Sequence, residues 1–172
     1  VKLKREIGGT ITTISMGTEN NVSILREALA MGADKAIVIS DMSFAGSDTW
    51  ATCHILKTAI EKIDNCYDLI ICGKQAIDAD TGQVGPGIAE QMNIPQITFV
   101  EEILDINKES VKVQRKVENG HEVIETRLPA LITVTDKINK PGYLRPISIM
   151  KAAKKEIIKW DNNILKIASE KI

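Results

Sequence analysis

Short apolar runs of strand length recur along the first hundred residues, and patterns typical of helices separate them. Apolar side chains three or four positions apart predict helices near residues 24–29 and 51–63, and a weaker one from Val84 to Met92 that Pro95 closes. Runs rich in β-branched residues predict strands at Thr10–Ser15, Ala36–Ser40, Leu69–Cys72 and Gln96–Val100. This alternation predicts an open, doubly wound α/β fold around a parallel sheet.

The pattern changes after residue 100. Two partly alternating runs, Val111–Val117 and Glu122–Arg127, flank an Asn-Gly turn and predict a β-hairpin. Ala130–Val134 then predicts a buried strand, and Ile147–Ile158 a short basic helix. We therefore expect a single domain over residues 1–172. Its parts are a parallel core over 1–108, a hairpin and return strand over 109–135, and a C-terminal segment over 136–172.

Composition narrows the classes of partner. The chain has 172 residues and a formal net charge of -1, and aromatic residues make up 3% of it. A nearly neutral chain with few aromatic side chains is a poor ligand for nucleic acid. No apolar run approaches the roughly 18 residues of a membrane span, and no signal-peptide pattern opens the chain. We expect a cytoplasmic protein with no membrane insertion and with reduced cysteines.

In an open parallel sheet, ligands bind beyond the carboxyl ends of the strands. The segments that follow the predicted strands include Ser15–Thr18, Phe44–Thr49 and, above all, Gly73–Pro86. The last runs from a buried strand to the start of a helix. Connections of this kind usually have about 2–6 residues, so its greater length favours a function over a plain solvated loop.

The chemistry of the Gly73–Pro86 loop suits a phosphate. Gly82 and Gly85 allow close approach of the backbone to an anion, Thr81 offers a hydroxyl and Lys74 a positive charge. A helix N-terminus directed at the same place adds unpaired amides. A solvated loop remains the alternative from local pattern alone.

Known catalytic and metal motifs are absent from the sequence. There is no G-x-x-x-x-G-K-[ST], no G-x-G-x-x-G after a strand and no G-x-S-x-G. His121 precedes a Glu but lacks the second His of a zinc protease, and His54 fits a surface or core position better than a catalytic one. Asp78 and Asp80 fit the capping of amides better than acid–base catalysis. We therefore expect neither catalytic residues nor a metal site.

The segment Asp68–Pro86, DLIICGKQAIDADTGQVGP, closely resembles the nucleotide-binding signature of the β subunit of electron transfer flavoprotein. Further similar stretches follow in the order of that family: Ala28–Ala36, Leu128–Thr135 and Ile138–Ile157. The resemblance implies a Rossmann-like fold of the adenine nucleotide α-hydrolase type. It also implies pairing with an α subunit that carries a redox-active FAD.

The resemblance also implies which residues contact a nucleotide. They are Met16, after the first strand, and a continuous run in the long loop: Gly73, Lys74, Gln75, Ala76, Ile77, Asp78, Ala79, Asp80, Thr81, Gly82, Gln83 and Val84. In many family members the nucleotide is a structural AMP. In electron-bifurcating members it is a second FAD that takes hydride from NADH, and the stretches Phe44–Thr52 and Lys154–Trp160 are more similar to those members.

As a family member the protein would carry electrons between NADH or an acyl-CoA-type or other dehydrogenase and an acceptor. It would be an oxidoreductase only as part of an NADH-linked complex. Two positions depart from the family: Ala79 replaces a common Gly and Gly142 a common Arg, for which Arg145 is the candidate substitute. The opening VKLKREIGG, without Met, indicates a fragment that lacks the family's first strand and C-terminal arm.

Two other classes of protein share the architecture. A module akin to universal stress proteins would bind ATP or AMP without redox activity. A nucleotide-activating ligase would need a phosphate motif and a reactive residue that this sequence does not contain. Identification of the bound nucleotide and of any copurifying α-type subunit separates the first of these from an electron carrier.

Overall fold

The structure is a computed structural model that describes residues 1–18, 20–63, 67–76 and 80–172. The chain forms two compact units. The first comprises Val1–Gly46 and Pro141–Glu170, and the second comprises Ser47–Lys140 with the last two residues. Each unit contains one β-sheet with helices.

The first unit has a three-stranded parallel sheet in the order β1-β2-β8. Its strands are β1 (Thr12–Met16), β2 (Lys35–Ile39) and β8 (Ile158–Trp160), and its helices are α1 (Lys2–Ile7), α2 (Asn21–Met31), α5 (Pro146–Ala153) and α6 (Asn162–Leu165). The central strand β2 is buried over its last four residues. Continuous apolar character therefore matches a strand paired on both sides.

The core of the first unit forms where α2 and α5 contribute small and branched side chains next to β2. Its buried members are Leu25, Leu29, Ala33, Ala36, Val38 and Ala152. Arg26 on α2 donates to the carbonyl of Ala152 at 2.7 Å and also to that of Lys155. These bonds add a charged donor at the end of α5, where the Ala152 carbonyl also accepts from the Lys155 amide at 3.1 Å.

The second unit has a five-stranded mixed sheet in the order β3-β7-β4-β5-β6. Its strands are β3 (Leu69–Gly73), β4 (Gln96–Ile106), β5 (Ser110–Val117), β6 (Gly120–Arg127) and β7 (Ala130–Val134), and its helices are α3 (Thr49–Lys62) and α4 (Val84–Met92). β3, β7 and the first part of β4 run parallel, and β4, β5 and β6 are antiparallel neighbours. The carboxyl ends of β3 and β7 therefore lie at the same edge, which is where the long loop begins.

The predicted α/β class, with parallel strands and an added hairpin, is confirmed. The parallel strands lie in two sheets, one in each unit, and the single-domain organisation stays a prediction. The hairpin turns at Glu118–Asn119, because Val117 pairs with Gly120. Among the residues described, no helix combines the length and the apolar character that crossing a membrane would require.

The predicted C-terminal helix is correct at its start and wrong at its end. α5 stops at Ala153, and Ile158 instead begins β8. The physical reason is tertiary pairing, since β8 adds to β2 in parallel with Ile158 opposite Ile37. Likewise β4 continues to Ile106, beyond its predicted end at Val100, because β5 provides an antiparallel partner.

Candidate functional site

The long loop leaves the sheet immediately after β3. The Lys74 amide donates to the Val134 carbonyl at 2.9 Å, which extends the β3–β7 ladder by one bond. Lys74, Gln75 and Ala76 are exposed, so the positive charge of Lys74 is available to a ligand at the carboxyl edge of the sheet. Residues 77–79, which include the predicted contacts Ile77, Asp78 and Ala79, lie outside the described residues.

The two described ends of the loop contact each other. The Asp80 amide donates to the Ala76 carbonyl at 3.0 Å, and the Gln75 side-chain amide donates to the Asp80 carboxylate. Gly82 has φ +64°, and a Cβ placed there would lie 3.3 Å from the Lys74 carbonyl oxygen. Asp80 is also left-handed, with φ 53°, a conformation for which Asp is enriched among non-glycine residues. The two described ends of the loop are thus held together.

The N-terminus of α4 follows directly. Its N-cap residue is Gln83, and among the described residues no side chain caps it. Pro86 lacks an N–H, so the donors of the first turn are the amides of Val84 and Gly85. Unpaired amides and the positive end of the helix dipole together favour an anion at this position.

Tight packing holds the first turn of α4 against its neighbours. Gly85 lies over β7 and β3, and Gly87 lies against α3, where the Cys53 thiol donates to the Val84 carbonyl at 3.4 Å. Burial raises the pKa of Cys72 to about 11 and also raises the pKa of Cys53. Both thiols therefore stay protonated near neutral pH, and neither is a nucleophile.

Met16, the predicted contact outside the loop, ends β1 in the first unit. The Asn21 side-chain amide donates to the Met16 carbonyl at 3.1 Å and to the Ser15 hydroxyl at 3.0 Å. The Gly17 amide donates to the Ile39 carbonyl at 2.9 Å. The side chain of Asn21, the first residue of α2, therefore fixes the end of β1, a contact that no sequence pattern indicates.

The loop after β2 contains two capping carboxylates. Asp41 accepts from the Ser43 amide at 2.8 Å and from the Asn162 amide at 2.9 Å, and these hydrogen bonds lower its pKa. Asp48 caps α3 by accepting from the Ala51 amide at 2.8 Å. The helix predicted near residues 51–63 therefore begins at Thr49, directly after this cap.

The two histidines make surface contacts. His121 Nε2 lies 2.9 Å from the Glu101 carboxylate, which also pairs with Lys137 at 3.3 Å. Hydrogen bonds from His121 and Lys137 lower the pKa of Glu101. His54 Nδ1 lies 3.3 Å from the Gln91 side-chain oxygen. His121 lies in the hairpin, where it pairs with Lys116 across β5 and β6.

Of the predicted nucleotide contacts that the structure describes, Gly73–Ala76 and Asp80–Val84 lie together in the second unit. Met16 belongs to the first unit. Gly142 and its candidate substitute Arg145 are both exposed, and Arg145 precedes α5 as its N-cap residue. Thr133 contacts Gly85 of α4 and accepts a hydrogen bond from the Phe99 amide at 3.1 Å. Thr133 lies in the stretch Leu128–Thr135 that is similar to the family, but no sequence pattern indicates these two contacts.

Parallel strands, flanking helices and a long glycine-bearing loop before a helix are typical of nucleotide-binding α/β proteins. Comparison with known families identifies the family. Residues 1–165 match the family model described as the electron transfer flavoprotein domain. The chain belongs to this family.

Curated relatives agree with that assignment. The chain is 45% identical over 159 residues to an electron transfer flavoprotein subunit beta of Thermoanaerobacterium thermosaccharolyticum, covering 92% of the chain and 60% of the relative. It is 41% identical over 169 residues to the caffeyl-CoA reductase-Etf complex subunit CarD of Acetobacterium woodii, covering 98% and 64%. It is 44% identical over 168 residues to the acryloyl-CoA reductase electron transfer subunit gamma of Anaerotignum propionicum, covering 96% and 62%. The chain thus spans about three fifths of the length of such relatives.

Proposed function

We propose that this chain is the nucleotide-binding part of an electron transfer flavoprotein β subunit, and that it binds the phosphates of FAD or AMP at the N-terminus of α4. The observation that carries the proposal is the uncapped N-terminus of α4, which follows a loop whose described ends contact each other and in which Lys74 is exposed. Family membership supports the same assignment.

The described residues fit a nucleotide phosphate. The amides of Val84 and Gly85 would donate to phosphate oxygens, and the left-handed turn at Gly82 gives the backbone the close approach that an anion needs. The Thr81 hydroxyl and the Lys74 ammonium, both on exposed residues, would complete the contacts. We further propose that Met16 and the other residues of Gly73–Val84, including Ile77, Asp78 and Ala79, are nucleotide contacts, as the family resemblance implies.

In this proposal the protein groups bind and orient the nucleotide. The pKa values of Cys53 and Cys72 are raised, and His54 and His121 are engaged with Gln91 and Glu101, away from the loop. A bound flavin would supply hydride and electron transfer, which belong to the cofactor. The contribution of the loop is therefore the affinity and placement of the nucleotide.

We propose FAD over AMP as the nucleotide, with NADH as electron donor. Support comes from the names of two relatives, which place them in caffeyl-CoA reductase and acryloyl-CoA reductase electron transfer assemblies. For this chain the corresponding proposal is a cytoplasmic electron carrier that serves an acyl-CoA-type or other dehydrogenase, with electron bifurcation as its finer form.

We also propose an α subunit as the obligate partner. The exposed side chains of the segment around α5 support a protein partner, since Tyr143 is 100% exposed, Ile147 67% and Met150 66%. Large apolar side chains clustered on a surface are typical of a protein–protein interface.

The test is to copurify the full-length polypeptide with its partner and to release and identify the nucleotide by mass and absorbance. FAD in molar excess over one per heterodimer, reducible by NADH, supports the FAD proposal. One FAD and one AMP would leave an ordinary electron transfer flavoprotein. Absence of flavin and of any copurifying subunit would refute the electron-transfer proposal and favour a nucleotide-binding module without redox activity.

The contribution of the loop is tested separately with Lys74→Ala, and Lys108→Ala serves as the matched control on an exposed turn of the same unit. We expect Lys74→Ala to lower nucleotide affinity about tenfold, because it removes one charge-assisted hydrogen bond. Equal retention of nucleotide by the two variants would contradict the predicted position of the phosphate.

A further inference from the structure

Thr133 lies in β7 directly beneath the first turn of α4. It is 2% exposed and pairs in parallel register with Cys72 of β3. The two branches of its side chain have different partners. The hydroxyl accepts a hydrogen bond from the Phe99 amide at 3.1 Å, and the methyl group faces Gly85.

Space is the reason for glycine at position 85. A Cβ built there would lie 2.6 Å from the Thr133 methyl carbon and 3.6 Å from side-chain carbons of Cys72 and Leu131. Its backbone is helical, so no left-handed conformation requires glycine. In a helix interior glycine is less favourable than alanine by about 1 kcal/mol. Gly85 is therefore explained by the close approach of the helix to Thr133, which leaves no room for a side chain.

Gly87 repeats the arrangement half a turn later. A Cβ at Gly87 would lie 2.5 Å from the sulfur of Cys53 on α3. The first turn of α4 is therefore held on two sides, by β7 below and by α3 beside it. Gly85 and Gly87 together leave little freedom for the helix end to move.

The orientation of the Thr133 side chain is fixed by its hydroxyl. A β-branched side chain has few χ1 rotamers, and the bond from the Phe99 amide selects one of them. With the hydroxyl directed at β4, the methyl group is directed at α4. One buried side chain thus connects the irregular part of β4, where the pairing with β7 shifts register between Ile97 and Val100, to the helix that begins at Val84.

We infer that Thr133 is a positioning residue whose methyl contact with Gly85 sets the distance of the α4 N-terminus from the sheet, and so the position of the Val84 and Gly85 amides for a nucleotide phosphate. The inference rests on the proposed function. Thr133 touches no ligand itself and acts through α4.

The test compares wild type, Gly85→Ala, Thr133→Ser and the double variant Gly85→Ala/Thr133→Ser. All are made in the full-length polypeptide with its partner, stripped of nucleotide and titrated with AMP and, separately, with FAD. Gly142→Ala is the control for the glycine substitution, because a Cβ at Gly142 meets nothing within 4 Å.

Gly85→Ala should weaken the binding of the nucleotide about tenfold or more, since the added methyl must displace the helix end. Thr133→Ser removes the opposing methyl and keeps the hydroxyl, so the double variant should return to within about twofold of Thr133→Ser alone. Gly142→Ala should bind as wild type does. Recovery of affinity in the double variant is the readout that a merely structural role would not produce.

The outcomes separate the two claims. If wild type binds neither AMP nor FAD, the proposed function fails and the inference falls with it. If wild type binds and Gly85→Ala binds equally well, only the role of Thr133 is refuted. If Gly85→Ala does not fold, the double variant decides. An affinity within about twofold of Thr133→Ser supports the inference, and a weaker affinity in a folded double variant overturns it.

Discussion

Replacement of Thr133 by Val tests how the second unit supports the irregular part of β4. Valine has the shape of threonine without its hydroxyl, so the Phe99 amide loses its acceptor. Phe99 has φ 58°, and a non-glycine residue in this region costs about 1–2 kcal/mol. The hydrogen bond from its amide helps to offset that cost.

Loss of the bond should lower the free energy of unfolding by about 1–2 kcal/mol, because a partly buried donor is left without a partner. For a protein of this size that corresponds to a fall in melting temperature of about 2–8 °C. Thr133→Ser is the matched control. It keeps the hydroxyl and loses one methyl, at a cost of about 1 kcal/mol.

Stability alone does not separate these two variants, so the assay is amide hydrogen exchange at Phe99 in the full-length complex. Thr133→Val should abolish the protection of the Phe99 amide, and Thr133→Ser should preserve it. Unchanged protection in Thr133→Val, or stability equal to wild type, would refute the role assigned to the hydroxyl.

Single contacts elsewhere in the chain lead to three more predictions. Arg26→Met should destabilise the protein by about 1–2 kcal/mol in urea unfolding, since the carbonyls of Ala152 and Lys155 lose a charged donor, and an unchanged midpoint would contradict this. His121→Ala should raise the pKa of Glu101 toward its ordinary value, as followed by NMR titration of the Glu101 carboxyl resonance. Because the pKa of Glu101 is lowered in the folded protein, its contribution to stability is present above the ordinary pKa of Glu and is lost as pH falls through the folded pKa. A carboxyl resonance that titrates as in wild type would contradict the prediction. Burial raises the pKa of Cys72 to about 11 and also raises the pKa of Cys53. Both thiols should therefore resist alkylation by iodoacetamide at pH 8 in the native protein and react on unfolding, as followed by mass spectrometry. Alkylation of the native protein at the rate of a free thiol would count against burial as the cause.

The strands whose burial appears as a continuous apolar run could be predicted from the sequence. The predicted strand Ala130–Val134 coincides with β7 residue for residue, and the apolar run that predicts β3 also marks where the long loop begins. Local pattern succeeds there because these strands are short, apolar and bounded by turn residues.

Features that depend on distant partners could not be located from the sequence. Ile158–Trp160 is a strand only because β2 offers an edge far away in the chain. The contact of Thr133 with Gly85 is likewise invisible to periodicity, since it requires β7 and α4 to be packed before their distance is known. The spacing of the residues left two alternatives for the loop, a phosphate site or a solvated loop. The family resemblance is the basis for predicting which residues contact a nucleotide.

The place of β8 in the first unit also has a consequence for synthesis on the ribosome. β2 ends at Ile39, and its partner β8 begins only at Ile158, with the whole contiguous stretch Ser47–Lys140 between them. At a synthesis rate of about 5–20 residues per second, about 6–24 s pass between the synthesis of β2 and that of β8. The stretch Ser47–Lys140, which is the second unit without its last two residues, is synthesised during this interval. We expect nascent chains that stop before Ile158 to expose one edge of β2, the kind of unpaired edge to which chaperones and other strands bind.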